Sequence, residues 1–260
     1  MLFVLSPAKS LDESPLTRNI KSTKPAFMGR AAELVSIMRK HSPQQIASLM
    51  KLSDKLASLN SARYEAWSDK NTAKNSKPAI LMFNGDVYDG LDAKQLDDAS
   101  LAWAQEHICI LSGLYGVLRP LDALQAYRLE MGTALSNPVG KDLYQFWGSD
   151  IAQHLNKRLK DTEGDVLVNL ASEEYFKSVD LKAFKGRIVQ CVFEDEKASK
   201  YKIISFFAKR ARGLMARWAI EHRVTQVEQL RQFNAQGYVY APSVSSEDKL
   251  VFRRKEAAQS

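Results

Sequence analysis

Short apolar runs, separated by stretches with helical periodicity, constrain the fold of this chain more than any other feature. Leu2–Leu5, 79–83, 108–111, Val166–Leu170, 187–193 and 202–205 each read as a strand. Between them, 31–39, 43–60 and 101–107 carry apolar residues at helical spacing. Ser42 is placed to cap the second of these helices, with Pro43 in its first turn. A last pair of runs, 237–240 and 249–253, reads as a closing hairpin around the loop 242–247. Alternation of this kind predicts a mixed α/β protein. No Pro/Gly/Ser-rich linker divides the 260 residues, so residues 1–260 are expected to form a single domain.

Charge is distributed unevenly. The chain carries a formal +7. Residues 185–223 alone hold ten Lys/Arg against four acids, a net +6, and the other segments are close to neutral. Much of this cluster lies on a predicted helix over 205–223. Phe207, Ala211, Leu214, Met215 and Trp218 fall on one side of it. Lys209, Arg210, Arg212, Arg217 and Arg223 spread over the other, with only Glu221 at the border. A solvated helix face normally mixes signs, so a face this positive points to a polyanion. Gly213 lies among the cations, where a missing side chain admits another backbone.

The segment LSGLYGVLRPLD places Gly113 and Gly116 around Leu114 and Tyr115, followed by Arg119. One reading is a glycine turn between helical pieces over about 108–125, resembling the hairpin of a helix-hairpin-helix DNA-binding element. Its amides would hold phosphate and Arg119 would add charge. The other is an ordinary turn in which glycine supplies φ > 0. Lys9, in the SPAKSLD turn after the first strand, is a further phosphate-facing candidate.

Several chemistries find little support. His41, His107, His154 and His222 are isolated, and Cys109 and Cys191 sit far apart inside apolar runs. No metal site and no cofactor motif is therefore expected. The cysteines read as buried small hydrophobes, consistent with a reducing cytoplasm. No run is long enough to span a membrane. No catalytic set is assignable, although Asp86, Arg128, Glu130, Glu173, Glu174 and Tyr175 lie in aromatic-rich contexts that suit acid–base groups.

Taken together, SPAKSLD, LSGLYGVLRPLD, YRLEMG, GKDLYQFWG, NLASEEYFKSV and KIISFFAKRARGLMARW resemble the YaaA family of bacterial peroxide-stress proteins over essentially the whole chain. That resemblance implies a cytoplasmic protein that limits free iron and oxidative damage under hydrogen peroxide. It also implies a mixed α/β fold with a positively charged cleft and a helix-hairpin-helix-like element that binds duplex DNA. By position, the hairpin falls on Gly113, Tyr115 and Gly116, and the basic helix on Lys209, Arg210, Arg212 and Arg217. The expected partner is DNA, duplex or structured, held through phosphates with little reading of sequence. Two alternatives stay open: an enzyme acting on a nucleotide or nucleic acid through Lys9, Asp86, Arg128 and Glu174, and an iron-sequestering protein.

Overall fold

The computed structural model describes residues 1–259. At its centre is an eight-stranded sheet built from β1 (Leu2–Leu5), β2 (Ile108–Ser112), β3 (Gly116–Leu118), β4 (Val166–Leu170), β5 (Arg187–Lys197), β6 (Lys200–Lys202), β7 (Tyr238–Tyr240) and β8 (Lys249–Arg254). The strand order is β7-β8-β5-β4-β1-β2-β3, with β6 paired to β5. The five central strands are parallel, and β3, β6 and β7 are antiparallel additions. Every residue of β1 and β2 is buried. Helices cover both faces of such a sheet, which is why these strands read as unbroken apolar runs without alternation.

The helices that matter here are α1 (Met28–Met38), α2 (Pro43–Met50), α3 (Asp54–Ala66), α4 (Asp86–Leu91), α5 (Asp98–His107), α6 (Asp150–Asp161) and α7 (Ser205–Glu221). The single helix expected over 43–60 is two. Lys51 turns left-handed at φ 52° and Ser53 caps the second piece. Ser42 caps the first in a reciprocal capping box.

The expected strand at 79–83 is instead a helical turn, Ala79–Met82, followed by the two residues Phe83–Asn84 paired with Ser10–Leu11. The Ala79 and Ile80 amides donate to Asp122 and Pro120 carbonyls in a neighbouring loop, which ends any continuation as a ladder. A short, fully buried run has no period by which to tell strand from helix. The run expected at 202–205 also splits. Ala198 and Ser199, both at positive φ, turn the chain back into β6, and Ser205 already opens α7. The closing hairpin forms as expected, β7 against β8.

Chain order across the sheet reverses at β1. The next main-sheet strand, β2, lies on one side of it and β4 on the other. The loops leaving β1 and β4 therefore diverge, and a crevice opens outside their carboxyl ends. In open parallel sheets such reversal points are where ligands are held.

Candidate functional site

The crevice is real and is lined from four parts of the chain. Ser6 to Ser10 leave β1, Asn84 to Val87 lead into α4, Ser172 to Tyr175 follow β4, and Lys209 with Arg212 descend from α7. It encloses about 430 Å³. Its walls are pinned by hydroxyls. Ser6 Oγ accepts from the Ser172 amide at 2.8 Å and donates to Ser172 Oγ at 3.2 Å, joining the two strand ends. Tyr88 of α4 donates its hydroxyl to the Ser6 carbonyl at 3.0 Å.

The approach of α7 is set by a pair of glycines. A Cβ on Gly213 would sit 1.8 Å from the Val87 carbonyl oxygen, and one on Gly90 would sit 2.2 Å from the Arg210 carbonyl oxygen. The α4 and α7 backbones therefore touch. Gly213 does admit another backbone, and it is that of the protein's own α4. Ala211, Met215 and Trp218 on the far side of α7 are buried, whereas Phe207 and Leu214 are only half-buried. This docking turns Lys209 and Arg212 into the crevice.

The charges there are incompletely paired. Arg212 is half-buried, and burial lowers its pKa, with Glu173 opposing weakly. Its side chain makes no hydrogen bond or ion pair with any described residue. Its guanidinium is partly screened from solvent and free of protein acceptors, so the position can take an external anion. Lys209 Nζ stands 3.8 Å from Asp86 Oδ2, and Lys9 Nζ 4.0 Å from Glu130 Oε1, both at the outer limit of ion pairing. Glu130 is held much more closely by Arg128 Nε. Glu174 Oε1 accepts from the Gly132 amide at 3.0 Å. Burial and nearby carboxylates push the Tyr175 phenol well above its usual range, so it stays neutral. The crevice thus contains three cations and the carboxylates Asp86 and Glu174. It is mixed in sign, with cations in the majority.

The remaining predicted cations are engaged elsewhere. Arg210 Nε donates to Gln236 at 3.2 Å, outside the crevice. Arg217 donates to the Leu91 and Asp92 carbonyls at 3.3 and 2.9 Å and pairs with Asp92 and Glu221. It caps the carboxyl end of α4, where the helix dipole favours a cation. Arg119 pairs with Asp122, which is itself buried.

The 113–116 segment is a turn between the antiparallel strands β2 and β3, not a hairpin between helices. The helix-hairpin-helix expectation is corrected on this point. Gly113 lets the Leu129 carbonyl pass 2.3 Å from where a Cβ would stand, and Trp147 donates to the Gly113 carbonyl. Gly116 has φ 66° and faces the Trp147 ring. Tyr115 is buried, its hydroxyl accepts from Trp67 Nε1 at 2.9 Å, and burial raises its pKa to about 12.

Of the candidate acid–base residues, Lys9, Asp86, Glu174 and Tyr175 meet in the crevice, with Glu130 and Arg128 beside Lys9. Ser6 escaped sequence reasoning, as did the part Ser172 takes in the crevice. The available signal was their position, each closely following a buried strand run. Both cysteines are buried. His41 and His222 bond to carbonyls four residues back, in the helix that precedes each, and His107 bonds to the Met1 carbonyl. Among the described residues no group of three His, Cys, Asp or Glu side chains could hold a metal ion, and no helix is long and apolar enough to cross a membrane.

Comparison with known proteins agrees with this whole-chain pattern. Residues 1–244 match the model of the family described as peroxide stress protein YaaA. The chain belongs to the YaaA family. A protein named UPF0246 from Polaromonas sp. (strain JS666 / ATCC BAA-500) is 62% identical over 99% of this chain and 100% of its own length. Namesakes from Albidiferax ferrireducens and Tolumonas auensis are each 60% identical, the first over 98% of this chain and 99% of its own, the second over 98% of both. Membership in YaaA supports a role in the peroxide stress response.

Proposed function

We propose that this protein acts in the peroxide stress response by binding DNA, duplex or distorted, through backbone phosphates at the crevice. In doing so it limits the damage that loose iron drives at DNA. The observation carrying this reading is Arg212, a half-buried guanidinium on α7 with no protein acceptor. Lys209 and Lys9 stand beside it, each held only at 3.8 to 4.0 Å by its carboxylate. A phosphate offers oxygens that such a group binds in bidentate fashion. Arg210, on the same helix, lies outside the crevice. No base-reading set accompanies them, so DNA shape weighs more than sequence.

The test is fluorescence anisotropy of labelled duplex, bulged, branched and single-stranded DNA over a salt series. Log affinity for duplex is expected to fall linearly with log salt, by about 0.9 per phosphate contacted. Lys209→Ala/Arg212→Ala is expected to reduce that slope by roughly two contacts. Salt-independent affinity, or none at low salt, overturns the proposal. A second reading, an enzyme acting on nucleic acid, is favoured by one fact: Asp86 and Glu174 line the same crevice as the cations. Turnover of the bound DNA to a new product, lost in Asp86→Asn, would select it.

A further inference from the structure

Three properties of the crevice do not follow from phosphate binding by an extended groove. It lies at the point where strand order reverses, outside the carboxyl ends of β1 and β4. Its 430 Å³ falls within the roughly 300–1,000 Å³ of small-molecule sites. Its charges also come from separate elements, with Lys9 on the loop after β1 as a third cation. Arg212 and Lys209 come from α7, whereas Asp86 opens α4 and Glu174 follows β4. Pro7, Val87 and Tyr175 supply apolar wall between them.

We infer that the crevice is a binding site for a single nucleoside 5′-monophosphate unit. The phosphate lies against Arg212 and Lys209. The sugar hydroxyls donate to Asp86 or Glu174, the role a carboxylate plays toward a ribose diol in other parallel-sheet folds. The base lies along Pro7, Val87 and the neutral Tyr175. A bare polyanion has no use for two carboxylates facing its phosphates; a nucleotide has a donor for each. The inference rests on the assignment of Arg212 as a phosphate-facing cation, and it does not require that duplex DNA bind. The phosphate-bearing part of this unit has two sources, a free nucleotide and the 5′-phosphorylated end of a DNA strand, which has no free sugar hydroxyl and would use only the cations and the apolar wall. Both would use Arg212, so a bound nucleotide excludes a DNA backbone from the crevice and lowers apparent DNA affinity reciprocally.

Isothermal titration calorimetry on the full chain tests this with AMP, GMP, CMP and UMP, against dAMP, adenosine and inorganic phosphate. At least one ribonucleotide is expected to bind one to one with Kd below about 1 mM, the upper end of ordinary metabolite affinities. It should bind at least about tenfold more tightly than its nucleoside or free phosphate, a difference of roughly 1.4 kcal/mol. Arg212→Ala, with Lys209→Ala as a second and more exposed variant, is expected to abolish binding while unfolding at an unchanged temperature. Asp86→Asn is expected to erase any preference for AMP over dAMP. A parallel arm compares duplexes with 5′-phosphate and 5′-hydroxyl ends. Preference for the phosphorylated end with no free-nucleotide binding identifies the strand end as the source. The inference is overturned if no nucleotide saturates and the two ends bind alike, or if phosphate alone binds as well as AMP. In those outcomes the salt-dependent DNA affinity stands or falls separately, because it is measured on internal duplex without either ligand.

Discussion

The crevice and the 113–116 turn lie toward the same end of the sheet, and both present glycine, arginine and aromatic residues to a reader of the sequence. They differ in where their polar groups go. In the turn, the Gly113 carbonyl takes Trp147, the Tyr115 amide takes Ser112 Oγ at 2.9 Å, the Tyr115 hydroxyl takes Trp67, and Arg119 takes Asp122. In the crevice, Arg212 takes nothing, and the two lysines have partners only at the edge of reach. Cations that line a cleft without a close protein partner are free to take an outside anion, whereas those already paired are not. Residue type points equally to both places, and a count of partners separates them.

Substitutions can break that contrast. The largest effect is expected from Gly116→Val. A Cβ there meets the Trp147 ring at 2.8 to 3.1 Å, at φ 66°. Loss of more than about 3 kcal/mol in urea unfolding is expected, from overpacking and left-handed strain together. A stable variant with weakened DNA binding would return the turn to the interface.

Next in size is a pH effect confined to the turn's own neighbourhood. Trp147 packs on Phe27, and Phe27 on His154. Burial, reinforced by Arg158 and Arg119, lowers the His154 pKa to about 4. The unfolded chain, with an ordinary histidine near 6.5, binds the proton first. The stabilisation is therefore complete above about pH 6.5 and is lost as pH falls toward 4, by up to roughly 3 kcal/mol. Thermal melts of wild type against His154→Leu should show the slope in the first and a flatter profile in the second.

The smallest effect separates the two ends of α7. Arg217→Ala removes bonds to two carbonyls and two carboxylates and is expected to cost about 1–2 kcal/mol. Arg212→Ala is expected to change stability by no more than about 0.5 kcal/mol. In DNA titrations the order reverses, with Arg212→Ala the weaker binder. Equal destabilisation by both would make Arg212 part of the scaffold.

Much of this was legible in the sequence. Strands β1, β2 and β4 showed as apolar runs because burial on both faces leaves little polar to interrupt them; the one exception within β4, Asn169, accepts from the Ala171 amide. Ser42 showed as a cap because its hydroxyl has a local partner, three residues on. Asp86 and Glu174 could be suspected individually, but their meeting depends on strand order, and no local pattern encodes order. Arg217 and Arg212 are indistinguishable on a helical wheel of charge. Only the carboxyl end of α4, laid beside one of them, decides which is used internally. The helix at 79–82 was missed because a loop, rather than a neighbouring strand, claims its amides.

The close approach of α4 and α7 at Gly90 and Gly213 has a last consequence. Helices separated by side chains can be adjusted by a methylene at a time. Here the spacer between α4 and α7 has already been reduced to nothing, so the separation can be increased by substitution and never decreased. Asp86 and Lys209 stand at the amino-terminal side of that contact on their respective helices. The gauge of the crevice is thus a mechanical stop set by two backbones, and variation in what it accepts must come from the residues on its walls rather than from its width.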